Sequence, residues 1–399
     1  MIKLRKLRVM AAVADAGSVA GAAQHLNLSQ PAVTRSIQSL ETELGVELFA
    51  RTGRGIHCNT NGRTLARRVR RALHQLRIAE SALSPPGREV FATAPLSEQA
   101  SDHELSAVVN IAAHGSVSAA ARKVGISQPA LNRSLRMLET RLGQDLFDRT
   151  GQGMRTTPAG DHVVRRAKLA MSEIRQGLEE IAFASGAAGT VGGRIRIGAL
   201  PLTQIRLVPL ALKSLLERFP AAEIAVEDGS YTSLLAALRH GDIDLLVGTI
   251  RDANETFSIS LFEDVTALAV GADHPLAYKE KVSLADCLNW DWVLPFAGVP
   301  LRVILEGAIA DEGLAPPRNV IETDSMIVAR TLLVESRYIA ALSPHQLHYE
   351  IKAGLLKILP VNIGQRPRPV GVTMREDFQP TPLIGALISE LKRVAGEIA

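Results

Sequence analysis

Cysteine is nearly absent: Cys58 and Cys287 are too few for a disulfide framework, and no CxxC pair offers a metal site. That usage fits a reducing compartment, so a cytoplasmic location is expected. Aromatic residues make up only 4% of the chain, too sparse for the stacking platforms that hold single-stranded nucleic acid. No apolar run reaches about 18 residues, so no membrane span is expected. Lys3, Arg5, Lys6 and Arg8 before an apolar stretch have the outline of a signal peptide, but Asp15 interrupts it and the same pattern recurs mid-chain, where no leader could lie. Enzyme signatures are missing as well. Gly192-Gly193 leads into a strand rather than a phosphate loop, the histidines show no HExxH or ligand spacing, and no Gly-x-Ser-x-Gly elbow occurs. No catalytic residue, metal or cofactor is therefore expected.

Against these absences stand 46% apolar and 22% charged residues over 399 positions, a composition and length that suggest two or three folded domains. The net charge of +4 hides a split: through Ser185 there are 25 Lys/Arg against 16 Asp/Glu, and beyond it 20 against 25. A basic first half joined to an acidic second half points to a polyanion-binding part and a separate second part. The basic half also repeats itself at an offset of 98 residues. Gly17-Ser18-Val19 matches Gly115-Ser116-Val117, Ser29-Gln30-Pro31-Ala32 matches Ser127-Gln128-Pro129-Ala130, and Arg51-Thr52-Gly53 matches Arg149-Thr150-Gly151. From Leu7 to Ala72, 28 of 66 aligned positions are identical without a gap, so the first half is a duplication. The period exceeds that of solenoid repeats, and each copy is expected to be a small domain. Pro85, Pro86 and Gly87 mark the stretch between the copies as a linker.

In the first copy Leu4, Leu7, Ala11 and Ala14 follow helical spacing to a stop near Gly17. Ser18 can cap a second helix over residues 19–26, and Ser29 a third with Pro31 in its first turn. Val33, Ile37, Leu40 and Leu44 then face inward, leaving Gln30, Pro31, Thr34, Arg35 and Gln38 outward. Small and hydrogen-bonding side chains at a helix N-terminal end are what a recognition helix sets against base edges. The second copy repeats this, with Leu131, Leu135, Leu138 and Leu142 inward and Gln128, Asn132, Arg133 and Arg136 outward. A merely solvated three-helix bundle would explain one such face; finding it twice favours duplex DNA.

The run Gly17-Ser18-Val19-Ala20-Gly21-Ala22-Ala23, followed by Leu28-Ser29-Gln30-Pro31-Ala32-Val33-Thr34 and by Leu44-Gly45-Val46-Glu47-Leu48-Phe49-Ala50-Arg51, resembles the DNA-binding domain of LysR-type transcription regulators. The second copy, closing with Thr157-Pro158-Ala159-Gly160, resembles it too. The resemblance implies a winged helix-turn-helix whose recognition helix enters the major groove and whose wing grips the backbone. The contacts it implies are Gln30, Pro31, Thr34 and Arg35, with Arg51 in the wing, and Gln128, Pro129, Asn132, Arg133 and Arg149; Gln38 and Arg136 extend the same outer faces. Family members usually carry one such domain. Cys58-Asn59-Thr60-Asn61-Gly62 also departs from the Thr-Pro-Ala-Gly pattern, which leaves the first copy's second wing strand open. Thr34 against Asn132 and Gln38 against Arg136 predict different half-site preferences, since Thr suits a thymine methyl and Asn pairs with adenine.

After each wing runs a heptad-like stripe: Leu65, Val69, Ala72, Leu76, Ala79 and Leu83, then Val163, Ala167, Ala170, Ile174, Gly177 and Ile181, where Gly177 weakens the pattern. Such a helix either packs on its own domain or, as the resemblance implies, makes a dimer contact, so a homodimer or homotetramer is expected. Arg67, Arg68, Arg70, Arg71, Arg165 and Arg166 beside the stripes are expected to add phosphate contacts.

From Gly192 the period changes. Strands over 194–199, 224–226 and 243–247 alternate with helices over 206–219 and 233–240, which predicts a parallel sheet with right-handed crossovers. A second set over 265–270, 292–294, 320–321 and 338–342 predicts another α/β lobe and a cleft between the two. Leu238-Arg239-His240-Gly241-Asp242-Ile243-Asp244-Leu245 and Gly271-Ala272-Asp273-His274-Pro275-Leu276 are similar to segments of the LysR-type effector domain, which has the fold of periplasmic solute-binding proteins. Residues 332–346 resemble a subgroup associated with sugar or aromatic catabolism. Thr203, Ser230, Thr249 and Ser325 at strand-to-helix turns, with Phe296 in a Pro/Gly-bounded loop, form the expected effector pocket, suited to a small anionic metabolite.

The expected architecture is α/β with an all-α N-terminal part: winged helix-turn-helix domains at 1–83 and 101–186, a linker at 84–100, and a two-lobed effector domain at 190–399. The expected function is transcription regulation on double-stranded promoter DNA, modulated by a small-molecule effector and reaching RNA polymerase indirectly, without enzymatic activity. The alternatives are a solute-binding protein or an enzyme built on the C-terminal α/β domain, against which the basic repeats argue.

Overall fold

The computed structural model describes residues 2–52, 55–83, 95–185, 192–363 and 367–398, with the side chains of residues 51, 52 and 55 outside the description. Most of the expected linker 84–100, and the boundary expected between 186 and 190, lie outside these residues. The chain divides into two compact units that part near Arg194.

The first unit holds both copies. Copy one comprises α1 (Leu4–Ala16), α2 (Val19–His25), α3 (Gln30–Leu44), the hairpin β1 (Phe49–Thr52) and β2 (Gly55–Cys58), and α4 (Thr60–Ser81). A short helix α5 (Leu96–Gln99) precedes copy two, which comprises α6 (Asp102–His114), α7 (Val117–Val124), α8 (Gln128–Leu142), β3 (Phe147–Thr150), β4 (Gly153–Thr156) and α9 (Pro158–Ala184). The boundaries follow from caps. Ser18 and Ser29 accept from the N–H groups of Gly21 and Ala32, and their counterparts Ser116 and Ser127 do the same for Ala119 and Ala130. Gly17 and Gly115 end α1 and α6 in the left-handed region, at φ 62° and 63°, where a side chain would be strained.

The unusual Cys58–Gly62 run does not cost copy one its wing. β2 pairs antiparallel with β1 from Phe49 opposite Cys58, as β3 and β4 pair from Phe147 opposite Thr156. Asn59 replaces Thr157 as the cap of the following helix: its side-chain oxygen accepts from Gly62 N–H, and its amide donates to Glu47 O. Gly62 and Gly160 are fixed by crowding, since an added Cβ would run into the Leu48 or Leu146 carbonyl. The buried apolar residues of both copies, from Leu4 to Ile181, form one continuous core. Arg8 crosses between them, donating to the carbonyls of Ser97 at 2.6 Å and Ala100 at 2.8 Å, and burial lowers its pKa to about 10.

The second unit has two lobes. In the first, β5 (Arg194–Ala199), β6 (Glu223–Glu227), β7 (Leu245–Thr249), β8 (Thr256–Asp264) and β14 (Arg368–Arg375) make a sheet of order β6-β5-β7-β14-β8, with α10 (Pro201–Gln204), α11 (Leu207–Arg218), α12 (Tyr231–His240) and α17 (Pro382–Ile398). The second lobe contains β9 (Ala267–Gly271), α13 (Leu284–Cys287), β10 (Trp292–Leu294), α14 (Pro300–Asp311), β11 (Val320–Glu322), α15 (Met326–Glu335), β12 (Ala340–Leu342), α16 (His348–Lys352) and β13 (Leu356–Ile358). β5 and β7 are parallel, as are β10 and β11. The all-parallel expectation is corrected elsewhere: β14 runs antiparallel to β7 and β8, and β12 and β13 run antiparallel to β9. The reason is connectivity, because the chain crosses to the second lobe after β8 and returns as β14. At the crossing the fully buried Asp264 accepts from Ser343 Oγ and pairs with Arg368. Among the described residues, no helix is long and apolar enough to cross a membrane.

Candidate functional site

Helix α3 buries Val33, Ile37 and Leu40 and exposes Gln30, Pro31, Arg35 and Gln38, with Thr34 half-buried at the rim. Helix α8 buries Leu131, Leu135 and Leu138 and exposes Gln128, Pro129, Arg133 and Arg136, with Asn132 in the place of Thr34. Neither helix carries an acid in its first turn, so the positive end of each dipole is left uncompensated for an anion. Gln128 is oriented by Ser118 Oγ, which donates to its side-chain oxygen at 3.0 Å. Arg35, Arg133, Arg136 and Arg149 are exposed and make no hydrogen bond or ion pair among the described residues. Arg51 lies in β1, its side chain outside the description. Two concavities flank α8. One of about 550 Å³ is lined by Pro129, Asn132, Arg133, Arg136 and Met137, and one of about 710 Å³ runs from Asn132 and Arg136 to Arg149 and Met154 of the wing.

Three further exposed cations of copy two were not among the expected contacts: Arg122 and Lys123 at the end of α7 and Arg155 in β4. Their copy-one counterparts are Gln24, His25 and His57, so an unmatched charge in the repeat was the available signal.

The arginines beside the stripes are a correction. Arg68 is fully buried between α4 and α9, donating to Glu173 at 2.8 Å, to Gln176 at 3.0 Å and to Glu180 at 3.0 Å. Burial alone would lower its pKa, but the hydrogen bonds it donates to Glu180 and Glu173 outweigh that and hold it above the usual value. Arg67 pairs with Glu180, Arg71 with Glu173, Arg70 with Asp15, and Arg166 donates to Gln75 at 2.7 Å. Arg165 is engaged too. These side chains are engaged within the fold: α9 supplies the carboxylates for Arg67, Arg68 and Arg71, α1 supplies Asp15 for Arg70, and α4 supplies Gln75 for Arg166. Both apolar stripes are spent in the same way: α4 and α9 pack along one another, and Gly177 leaves the space in which the Arg68 side chain lies, its own Cβ position being 2.9 Å from Arg68 Cβ.

In the second unit the expected pocket residues fall into two groups. Thr203 and Ser230 follow the strands β5 and β6 and Thr249 ends β7, β5 lying between the other two, whereas Phe296 and Ser325 follow the neighbours β10 and β11. Thr203 is fully buried and its hydroxyl is directed at the carbonyls of Leu200 and Val247. Ser230 and Ser325 cap α12 and α15 by accepting from Ser233 and Val328 N–H. Thr249 is half-buried; Phe296 is 51% exposed, and its N–H donates to Asp324. Arg251, two residues past Thr249, was missed. Its guanidinium stacks 4.1 Å from the Tyr231 ring, its Nε makes no hydrogen bond, and burial lowers its pKa.

A family model described as "LysR substrate binding domain" matches residues 188–396, and one described as "Bacterial regulatory helix-turn-helix protein, lysR family" matches residues 4–63 and 103–161. The chain belongs to the LysR family. It is a LysR-type transcription regulator that binds DNA and carries an effector-binding domain. It is 32% identical over 400 residues to the transcriptional regulator GalR of Pseudomonas putida, covering 99% of this chain and 98% of that one. It is 30% identical over 298 residues to the transcriptional regulator PcaQ of Agrobacterium fabrum, covering 74% of this chain and 94% of that one. Among solved structures, a full-length OxyR variant of Pseudomonas aeruginosa superposes with a TM-score of 0.54 at 22% identity, over 73% of this chain and 97% of that one. CbnR in complex with its target DNA superposes with a TM-score of 0.51 at 19% identity, over 73% and 98%. Each of these three shorter matches leaves about a quarter of this LysR-type chain unpaired.

Proposed function

We propose that this LysR-type regulator reads promoter DNA with α3 and α8. Gln30, Pro31, Thr34, Arg35 and Gln38 serve in copy one and Gln128, Pro129, Asn132, Arg133 and Arg136 in copy two, with Arg51 and Arg149 on the wings. The division of labour follows 1–83 and 101–186 as DNA-binding domains, 84–100 as linker and 190–399 as sensor. The observation that carries the reading is the partition of arginines: those on the recognition faces are exposed and unpaired, whereas Arg67, Arg68, Arg70 and Arg71 of α4 are paired with carboxylates. The CbnR structure, solved on its target DNA, supports the same use of this fold.

The effector is a small anionic metabolite taken up near Thr203, Ser230, Thr249, Phe296 and Ser325, where Arg251 offers an unspent donor. The protein acts in the cytoplasm as a homodimer or homotetramer, with no catalysis of its own. Mobility shift on promoter fragments tests the DNA reading. Arg35→Ala and Arg133→Ala each weaken binding by about 1–3 kcal/mol with unchanged circular dichroism, while Arg67→Ala binds normally. Equal binding by all three variants would refute it.

A further inference from the structure

We propose that a single chain is one complete two-armed DNA reader. The pairing of α4 with α9 holds the two unlike copies about a local two-fold axis, and the chain spans an operator with two different arms at one fixed spacing. This rests on the DNA reading above and goes beyond it.

The two-fold relation is written in the contacts. Arg68 donates to Glu173, and Arg166, its counterpart 98 residues on, donates to Gln75, the counterpart of Glu173. Exchanging the copies therefore exchanges these two bonds. Leu4 N–H meets the carboxylate of Asp102 at 2.9 Å, and Asp102 occupies the position equivalent to Leu4 itself. A residue touches its own counterpart only near a two-fold axis. The same axis relates α3 to α8, as recognition helices are related where a dimer meets the dyad of a duplex.

The seam is also built so that α4 takes α9 and not a second α4. The three positions that hold Glu173, Gln176 and Glu180 on α9 correspond to Gln75 and Ile78 on α4 and to Ala82 just past its end. An α4 paired with another α4 would bury two copies of Arg68 with no carboxylate to meet them, a heavily penalised state. Gly177 corresponds to Ala79, whose methyl would occupy the space that the Arg68 stem needs. An α9 could pair with another α9, since Arg166 would then face Glu173, but that would leave every α4 stripe and its Arg68 stranded. Joining the copies in one chain favours the internal pair further by raising the local concentration of each helix for the other.

The arms differ in how they grip. Copy two presents Arg122, Lys123, Arg133, Arg136, Arg149 and Arg155, and at four of these positions copy one has Gln24, His25, Gln38 and His57. Copy two is the strong electrostatic anchor, and copy one adds the second, less cationic reading.

The test is selection of binding sites from a random duplex library by the full-length protein, with stoichiometry measured on the selected duplex. Two unlike arms at a single spacing, occupied by one DNA-binding pair from one chain, are expected. Arg35→Ala erases base preference in one arm only and Arg133→Ala in the other only; both residues are exposed, so folding is not at stake. Arg68→Ala retains the preference of each arm but loosens the spacing and weakens two-arm binding on the order of a hundredfold, the gain that coupling two modules supplies. Enrichment of one arm repeated, or loss of the same bases in both surface variants, would overturn this inference alone. Failure to enrich any duplex would overturn the DNA reading and this inference together.

Discussion

Single residues carry much of the fixed geometry. Gly62 and Gly160 sit where the wing meets the next helix, each against a leucine carbonyl. Gly160→Ala forces that joint apart and is expected to cost about 1–3 kcal/mol, as overpacking of a tight contact does, read as a lowered urea midpoint. Exposed Arg35→Ala should stay within about 0.5 kcal/mol of the parent. The cysteines make a second contrast. Burial pushes the Cys287 thiol up to about 12, and it also raises the half-buried Cys58. Alkylation of the native protein near pH 8, followed by peptide mass spectrometry, is expected to label Cys58 slowly and Cys287 only after unfolding. At this scale the sequence was legible where a residue's role is set by near neighbours, as at Ser29 or Ser127. It misled at Arg68, whose partners lie more than a hundred positions away. It missed Arg251, whose aromatic partner Tyr231 comes from another element.

Elements follow the sequence where local signals agree. Caps, glycine stops and 3.6-residue periodicity placed α1, α2 and the start of α3 to within a residue or two, and the inward faces of α3 and α8. The strand pattern was weaker: several strands of the second lobe are three residues long, and β14, broken by Pro369 and Gly371, was not recognised as part of the first sheet. The α4/α9 pair was half legible. Both apolar stripes were evident, but not that each is the other's partner. The buried charge cluster between them makes a sharp prediction. Arg68→Ala removes the fully buried cation from between Glu173 and Glu180, leaving them only the more exposed Arg71 and Arg67, and is expected to destabilise the first unit by about 3–5 kcal/mol. Replacing Arg68, Glu173 and Glu180 together by Met, Leu and Leu is expected to be neutral or stabilising, because the desolvation of all three charges disappears. Chemical denaturation of both variants decides; equal losses would show that packing, not charge, holds the pair.

The whole molecule combines a basic reading unit with a sensing unit, and its charge split was visible from composition alone. The spatial relation of the two copies was not, because a repeat in sequence says nothing about which faces meet. The sensing unit has its own response to acid. Burial lowers the pKa of His274, against the Trp290 ring, and of His345, against Phe262. A histidine held below its ordinary value of about 6.5 is protonated first in the unfolded chain. Stability is therefore full above that value and is lost progressively as the pH falls through it toward the lower folded-state value. Thermal unfolding from about pH 7.5 to about pH 5.5 is expected to show a falling midpoint, shallower in His274→Gln; a flat profile in the parent would contradict it. The pairing of α4 with α9 inside one chain also changes what mutation can do. In an assembly of identical subunits one codon specifies both arms, so any altered preference appears twice and the whole operator must follow. On the two-arm reading proposed above, Thr34 and Asn132 are separate codons in one gene, and either arm would be free to drift while the other kept the protein at its promoter.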